Sequence, residues 1–488
     1  MLSSASALAE ETLPAASSTS ESRVDAYRLV FEDKDASTAN ENAYRTEYKS
    51  DGSNQSAQIY NAVLPYCGTK YTFGCISSIE AKTSGEAVWE VLTPGERFWN
   101  GEIAAFTPNA DGSRKNYFWS SWDGVEEVGL PPSGKVQLFN SSLHTHGGGA
   151  GYVVKALMYG YEENRGKFMT STFGINVIPV KVLKYDPIKP ENSEIFSVQN
   201  YTFPKDLEFR ITVKLGALYQ QLNGWFFGRV TDALIDMNPT KKTLVITGKA
   251  STSPVQTGYM PYPAPEKFKD SFNDRRENFY GKLSSYVFPA SNGSNLNYWL
   301  KYKDYLFPNS EYENQVWQID AAPRSSLEVN QDFEKCLKGT AGITGLLTTN
   351  ATAYETNPPK WSSKDSTLTY QVAGPELLSD GSKNLGTYLL AIRADVASCL
   401  WKTDLRNAKA TVEVTNGDGA TGTQIATTTM SQRNGWLYFS ASGFHFSAPT
   451  IKVKLNSEKM LKITCFKGKT KKIITGTSPK CPSGYKKS

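Results

Sequence analysis

The chain reads as mainly β: tandem β-sandwich-like (Ig-like) domains, a short partly helical bridge, and a disulfide-closed C-terminal hairpin. Three observations carry this reading. Short runs alternate apolar and polar residues along much of the 488 positions, the period-two pattern of strands with one buried face. Turn clusters such as Ser50-Asp-Gly-Ser-Asn-Gln55 and Asn109-Ala-Asp-Gly-Ser113 punctuate those runs. Aromatic residues make up 12% of the chain, with 26 Tyr and 10 Trp, a content that suits packed pleated surfaces. This length calls for several cores rather than one.

Met1 to Ala9 ends in Ala7-Leu8-Ala9, the small-residue pattern of a signal-peptidase site, followed by Glu10 and Glu11. A positively charged start and a long apolar run are missing, so residues 1–9 read as the remnant of a longer signal peptide. Residues 10–24, rich in Ser, Thr, Ala and Glu, read as a flexible linker.

An N-terminal β domain is expected over 25–184. It opens with Ala26-Tyr-Arg-Leu-Val-Phe31, includes strands over 148–160 and 173–184, and bulges at Pro179. Tyr185-Asp-Pro-Ile-Lys-Pro190 breaks the pattern. A second β domain over 185–262 resumes it in 200–214 and 243–250. Tyr259-Met-Pro-Tyr-Pro-Ala-Pro265 then reads as a stiff, extended connector.

The period changes in the aromatic bridge, 263–322. Phe268, Phe272, Phe279 and Leu283 recur at helical spacing and predict a helix over 266–283, while Leu296, Trp299 and Leu300 begin a second. A C-terminal β-sandwich with one helix follows over 323–456. Ser325-Ser-Leu-Glu328 has capping-box spacing, Leu327, Val329, Phe333 and Leu337 mark the helix face, and Gly339 stops it. Strands are expected over 366–373, 387–393, 408–415, 435–440 and 450–455. Asn223-Gly-Trp and Asn434-Gly-Trp each place a hairpin turn before an aromatic strand.

The last segment, 457–488, is a basic cysteine hairpin tail. Ile463-Thr464 and Ile473-Ile-Thr475 flank Lys467-Gly468-Lys469 as two short strands. So small a hairpin buries no core. A bond between Cys465 and Cys481 would remove about 3 kcal/mol of unfolded-chain entropy and hold it. Lys462, Lys467, Lys469, Lys471, Lys472, Lys480, Lys486 and Lys487 either form a knob suited to acidic envelope polymers or simply solubilise the chain end.

Six cysteines allow about fifteen connectivities. The nearest-neighbour set, Cys67 with Cys75, Cys336 with Cys399 and Cys465 with Cys481, keeps each pair inside one expected domain and implies an oxidising compartment. No pair has Cys-x-x-Cys spacing, so neither a redox nor a zinc site is indicated.

Two stretches carry a resemblance. Ile463-Thr-Cys-Phe-Lys-Gly-Lys469 leading to Pro479-Lys-Cys-Pro-Ser-Gly-Tyr-Lys-Lys487 resembles the cysteine hairpin that closes many uncharacterised secreted proteins of actinobacteria. Thr349-Asn-Ala-Thr-Ala-Tyr354, Gly386-Thr-Tyr388, Ile392 to Leu400, Asn434-Gly-Trp-Leu-Tyr-Phe439 and Phe444 to Val453 are similar to domains of such proteins. The resemblance implies export and a cell-surface or extracellular location, with no activity attached.

Chemistry is sparsely signalled. No nucleotide-binding loop, nucleophile elbow or His-Glu-x-x-His helix occurs. Only His144, His146 and His445 could serve as histidine bases, while carboxylate pairs leave no local signature. His144 and His146, at i and i+2 before a glycine turn, would share a strand face and could hold one metal ion, or could simply be exposed. Tyr117, Trp119 and Trp122 could stack on a sugar, or could fill the core.

A net charge of +5 argues against a nucleic-acid-binding body, no span is apolar enough for a transmembrane anchor, and no cofactor is implied. The expected role is non-catalytic binding or display at the cell envelope, on glycans or anionic wall polymers. The alternatives are an exported polysaccharide hydrolase with a carboxylate pair and a structural surface-layer subunit.

Overall fold

The computed structural model describes residues 26–32, 44–49, 56–100, 114–118, 121–164, 166–184, 195–261, 264–268, 283–289, 295–403, 405, 409–415, 426–446, 448–456, 461–468, 470–476 and 479–487. The signal-peptide and linker assignments at 1–24 and the break at 185–190 lie outside these residues.

The described chain is mainly β. Its first half contributes β1 (Ala26–Glu32), β2 (Tyr44–Lys49), β3 (Ser56–Val63), β4 (Cys75–Thr83), β5 (Glu90–Val91), β6 (Thr93–Asn100), β7 (Arg114–Phe118), β8 (Val136–Asn140), β9 (Gly151–Asn164), β10 (Lys167–Lys184), β11 (Ile195–Asn200), β12 (Leu207–Lys214), β13 (Gly224–Asn238) and β14 (Thr243–Pro261). The bridge supplies β15 (Leu283–Pro289), α1 (Asn295–Tyr302) and β16 (Tyr312–Pro323). After it come α2 (Gln331–Leu337), β17 (Ile343–Thr349), β18 (Ala353–Tyr354), β19 (Lys360–Ser362), β20 (Thr367–Ala373), β21 (Leu385–Arg393), α3 (Ala394–Trp401), β22 (Lys409–Thr415), β23 (Thr427–Arg433), β24 (Trp436–His445) and β25 (Thr450–Asn456). The tail forms β26 (Leu461–Lys467), β27 (Thr470–Gly476) and β28 (Lys486–Lys487).

One large wall organises the body. β9, β10, β16, β13, β17, β21 and β24 pair side by side, antiparallel except for β13 and β17, which run parallel. Against one face packs a second layer of β4, β12 and β14, continued by the far half of β13. Ile79, Phe209, Ile211 and Ile246 of that layer meet Ile175, Phe226, Trp317 and Leu346 of the wall in the largest core. Against the other face packs a sheet of β20, β25 and β22 with β18 and β19 on its flank. There Phe227, Leu347, Leu390 and Phe439 meet Leu368, Tyr370, Ile451 and Val453.

Sandwiches following one another along the chain would each own two sheets, whereas here two cores share one wall. The physical reason lies in β17, whose seven residues are all buried, and in β13, buried on both faces from Gly224 to Val230. Such strands must be covered on both sides. Positions 184, 262 and 322 are accordingly not sheet boundaries: β12 pairs with β4, β16 with β10, and β17 with β13.

Of the helix expected over 266–283, only the two ends fall among the described residues, and neither is α-helical. Glu266–Phe268 forms a single 3-10 turn, residues 269–282 lie outside the described set, and Leu283 opens a strand rather than closing a helix. β1 is seated between β14, antiparallel, and β15, parallel. Tyr259, Met260 and Pro261, read as connector, are strand residues opposite Arg28, Tyr27 and Ala26. The second helix is present as α1, and Trp299 donates its indole N–H to Gln256 at 2.7 Å. The next helix starts later than the capping box indicates: Asn330 accepts from the Phe333 amide and caps α2, while Arg324–Ser326 is a 3-10 turn.

The three disulfides are Cys67–Cys75, Cys336–Cys399 and Cys465–Cys481. The second pins α2 to α3 beneath β19, where Trp361 and Trp401 meet edge to face. Among the described residues, no helix is long and apolar enough to cross a membrane.

Candidate functional site

The C-terminal sheet is built from a single local rule, that directly opposed residues share a face. β26 is its central strand. Phe466 lies opposite Lys471 on β27 and Lys486 on β28, and Thr464 lies opposite Ile473. These five residues therefore occupy one face, and it is open: Ile473 is 61% exposed and Phe466 40%.

The reverse face is closed. Ile463 and Cys465 are buried there, the disulfide to Cys481 draws the last loop across, and Lys472 sits 5.1 Å over the Tyr485 ring. Gly468 turns the hairpin at φ 58°, a conformation that glycine adopts without strain.

Charge singles out this module. After Glu458 the chain carries nine lysines and no aspartate or glutamate, so within a total of +5 the preceding 458 residues sum to −4. Lys467, Lys471, Lys472, Lys480, Lys486 and Lys487 are all exposed. An apolar pair ringed by lysines can hold a flexible polyanion, the ammonium groups taking the charge and Phe466 with Ile473 taking the carbon backbone. The lysine count was visible in the sequence. The apolar pair came only from the register.

The histidines stand in the connection between β8 and β9, not on a strand, so strand alternation does not align them. His144 is buried. Its Nδ1 lies 3.3 Å from Thr83 Oγ1, and its Nε2 lies 3.6 Å from Glu86 and 3.7 Å from Glu90. Burial works against ionising Glu90, but hydrogen bonds from Ser141, Ser142 and Leu143 outweigh it and hold the carboxyl below its ordinary value. Glu90 thus organises the loop.

His146 spends both ring nitrogens on backbone. Nε2 meets Gly151 O at 2.7 Å, and Nδ1 accepts from the Gly148 amide at 3.1 Å. Burial pulls its imidazole below the usual value, against the Gly151 bond. Tyr152 and Tyr201 flank the ring, and Tyr201 covers Gly148 so closely that a β-carbon there would collide with it. The two imidazoles therefore engage different partners, and among the described residues no group of three or more metal-ligating side chains converges. Glu86 and Glu90, lying more than fifty residues before His144, had no sequence signal.

Of the aromatic segment, Trp119 lies outside the described residues, and Tyr117 belongs to β7. Trp122 is half-buried against two cores and donates its indole N–H to Pro131 O at 2.8 Å. Its ring is committed to packing.

No protein-family model, curated protein or solved structure matches this chain.

Proposed function

We propose that the protein is a non-catalytic, exported β scaffold that docks onto a linear polyanion of the cell envelope through its C-terminal sheet. The observation that carries this reading is the open face of Phe466 and Ile473 with Lys471 and Lys486, in a module free of acidic residues. Three disulfides support an oxidising compartment. The tail's resemblance to secreted actinobacterial proteins supports the same location. A body of opposite net charge would stand away from a polyanion that the module grips, which favours display of the body over its adsorption.

The test is retention on a bead-immobilised, phosphate-rich wall polymer across a salt gradient. Lys471→Glu with Lys486→Glu should lower affinity by at least about tenfold at low salt, because two attractive contacts become repulsive. Lys402→Glu, on the body, should change little. Equal retention of the double variant and the wild type would place docking elsewhere.

A further inference from the structure

A row of polar side chains crosses the interior of the large wall. Lys155 on β9 lies opposite Asn176 on β10, Asn176 opposite Gln318 on β16, and Gln318 opposite Arg229 on β13. All four are buried, Lys155 completely. Buried lysines are rare.

Along their own two strands, the same-face neighbours of the first pair are apolar or lack a side chain. Val153 and Leu157 flank Lys155, and Ile178 and Gly174 flank Asn176. Opposite Gly174 stands Asp320, and its carboxyl leans over the glycine so far that a β-carbon at 174 would strike Oδ1. Gln318 holds the other oxygen, donating Nε2–H to Oδ2 at 2.5 Å. Gly174 thereby leaves room for the Asp320 carboxyl on the face that carries Lys155 and Asn176.

We propose that Lys155 and Asn176 form an intramolecular amide crosslink, with Asp320 as the acid–base group that promotes it. Directly opposed side chains have β-carbons about 5 Å apart, within reach of a lysine aimed at a carboxamide. Complete burial of Lys155 works against its charged form, and the neutral amine is the nucleophilic one. Nζ adds its lone pair to Asn176 Cγ. Asp320, as the carboxylic acid, gives its proton to Nδ2, takes up the proton shed by Nζ, and is regenerated. One Nζ–Cγ bond forms, one Cγ–Nδ2 bond breaks, and ammonia leaves. No oxidant or cofactor enters. The product clamps β9 to β10 toward the open end of their long hairpin, three residues from the last pair, Tyr152 with Pro179.

The experiment is intact-mass and peptide-mapping mass spectrometry of the full-length protein after reduction and denaturation. The crosslinked protein is lighter than its sequence by one ammonia, and the peptides containing Lys155 and Asn176 travel as a single branched species. Asp320→Ala retains both partners yet should yield the full mass and separate peptides. Separate peptides in the wild type would overturn the proposal without recourse to any variant. Loss of one water instead, with Lys155 joined to Asp320, would overturn the assignment to Asn176.

Discussion

Gly345 sits under the indole of Trp225, where even a methyl group would overlap the ring. Trp225 is fully buried and stands edge to face with Phe333 of α2, so it has nowhere to retreat. Gly345→Ala should therefore cost about 1–3 kcal/mol by overpacking, read as a lower urea midpoint with an unchanged slope. Gly339, with open space around it, offers a contrast: it owes its identity to φ 80°, not to crowding. At this scale the sequence was legible where the rule is local. Cysteine spacing selects the three disulfides, and Asn434 with Gly435 makes a turn with both φ values positive. It was illegible where partners are remote. Nothing near His144 announces Glu86 or Glu90, and nothing near Lys155 announces Asn176 or Asp320.

The loop between β8 and β9 is an element whose hold depends on pH. Glu90 ionises more readily in the folded protein than in the unfolded chain, and His146 gains its proton less readily. Both groups thus bind fewer protons when folded, so their stabilisation is complete above the unfolded values, near 6.5 for the imidazole. It fades as pH falls through the lowered folded values. Protection factors of the amides in 141–150, which remove the intrinsic pH dependence of exchange, should fall as pH drops below about 6, and Glu90→Gln should remove the carboxylate part of that response. The disulfides rank by the loop each closes. Removing Cys336–Cys399, 63 residues apart, should cost roughly 4 kcal/mol, against roughly 2.5 for Cys67–Cys75 at a separation of 8; paired Cys→Ala variants and thermal unfolding check the order. Strand existence was largely readable from alternation. β16 was not, because Tyr312–Pro323 mixes polar residues into both faces, and one of them, Gln318, is buried in the polar row rather than turned to solvent.

For the whole molecule, composition announced β structure, but the shared wall required knowing that β13 and β17 lie side by side despite more than a hundred intervening residues. Alternation reveals a buried face and not its partner. The body and the tail sheet differ in charge, and a chain ending at Asn456 should keep its unfolding midpoint while losing retention on the polyanion. Reduction of Cys465–Cys481 in the intact chain should weaken retention in the same way. The seat of β1 sets an order of events during synthesis. This strand is the earliest of the described strands to leave the ribosome, yet both its neighbours, β14 and β15, emerge more than two hundred residues later. Until then Leu29 and Phe31, fully buried in the finished fold, have no place to go. Closure of the fold therefore waits on a long-range pairing of high loop entropy, and a chain interrupted before Pro289 would leave its own beginning exposed as an adhesive edge.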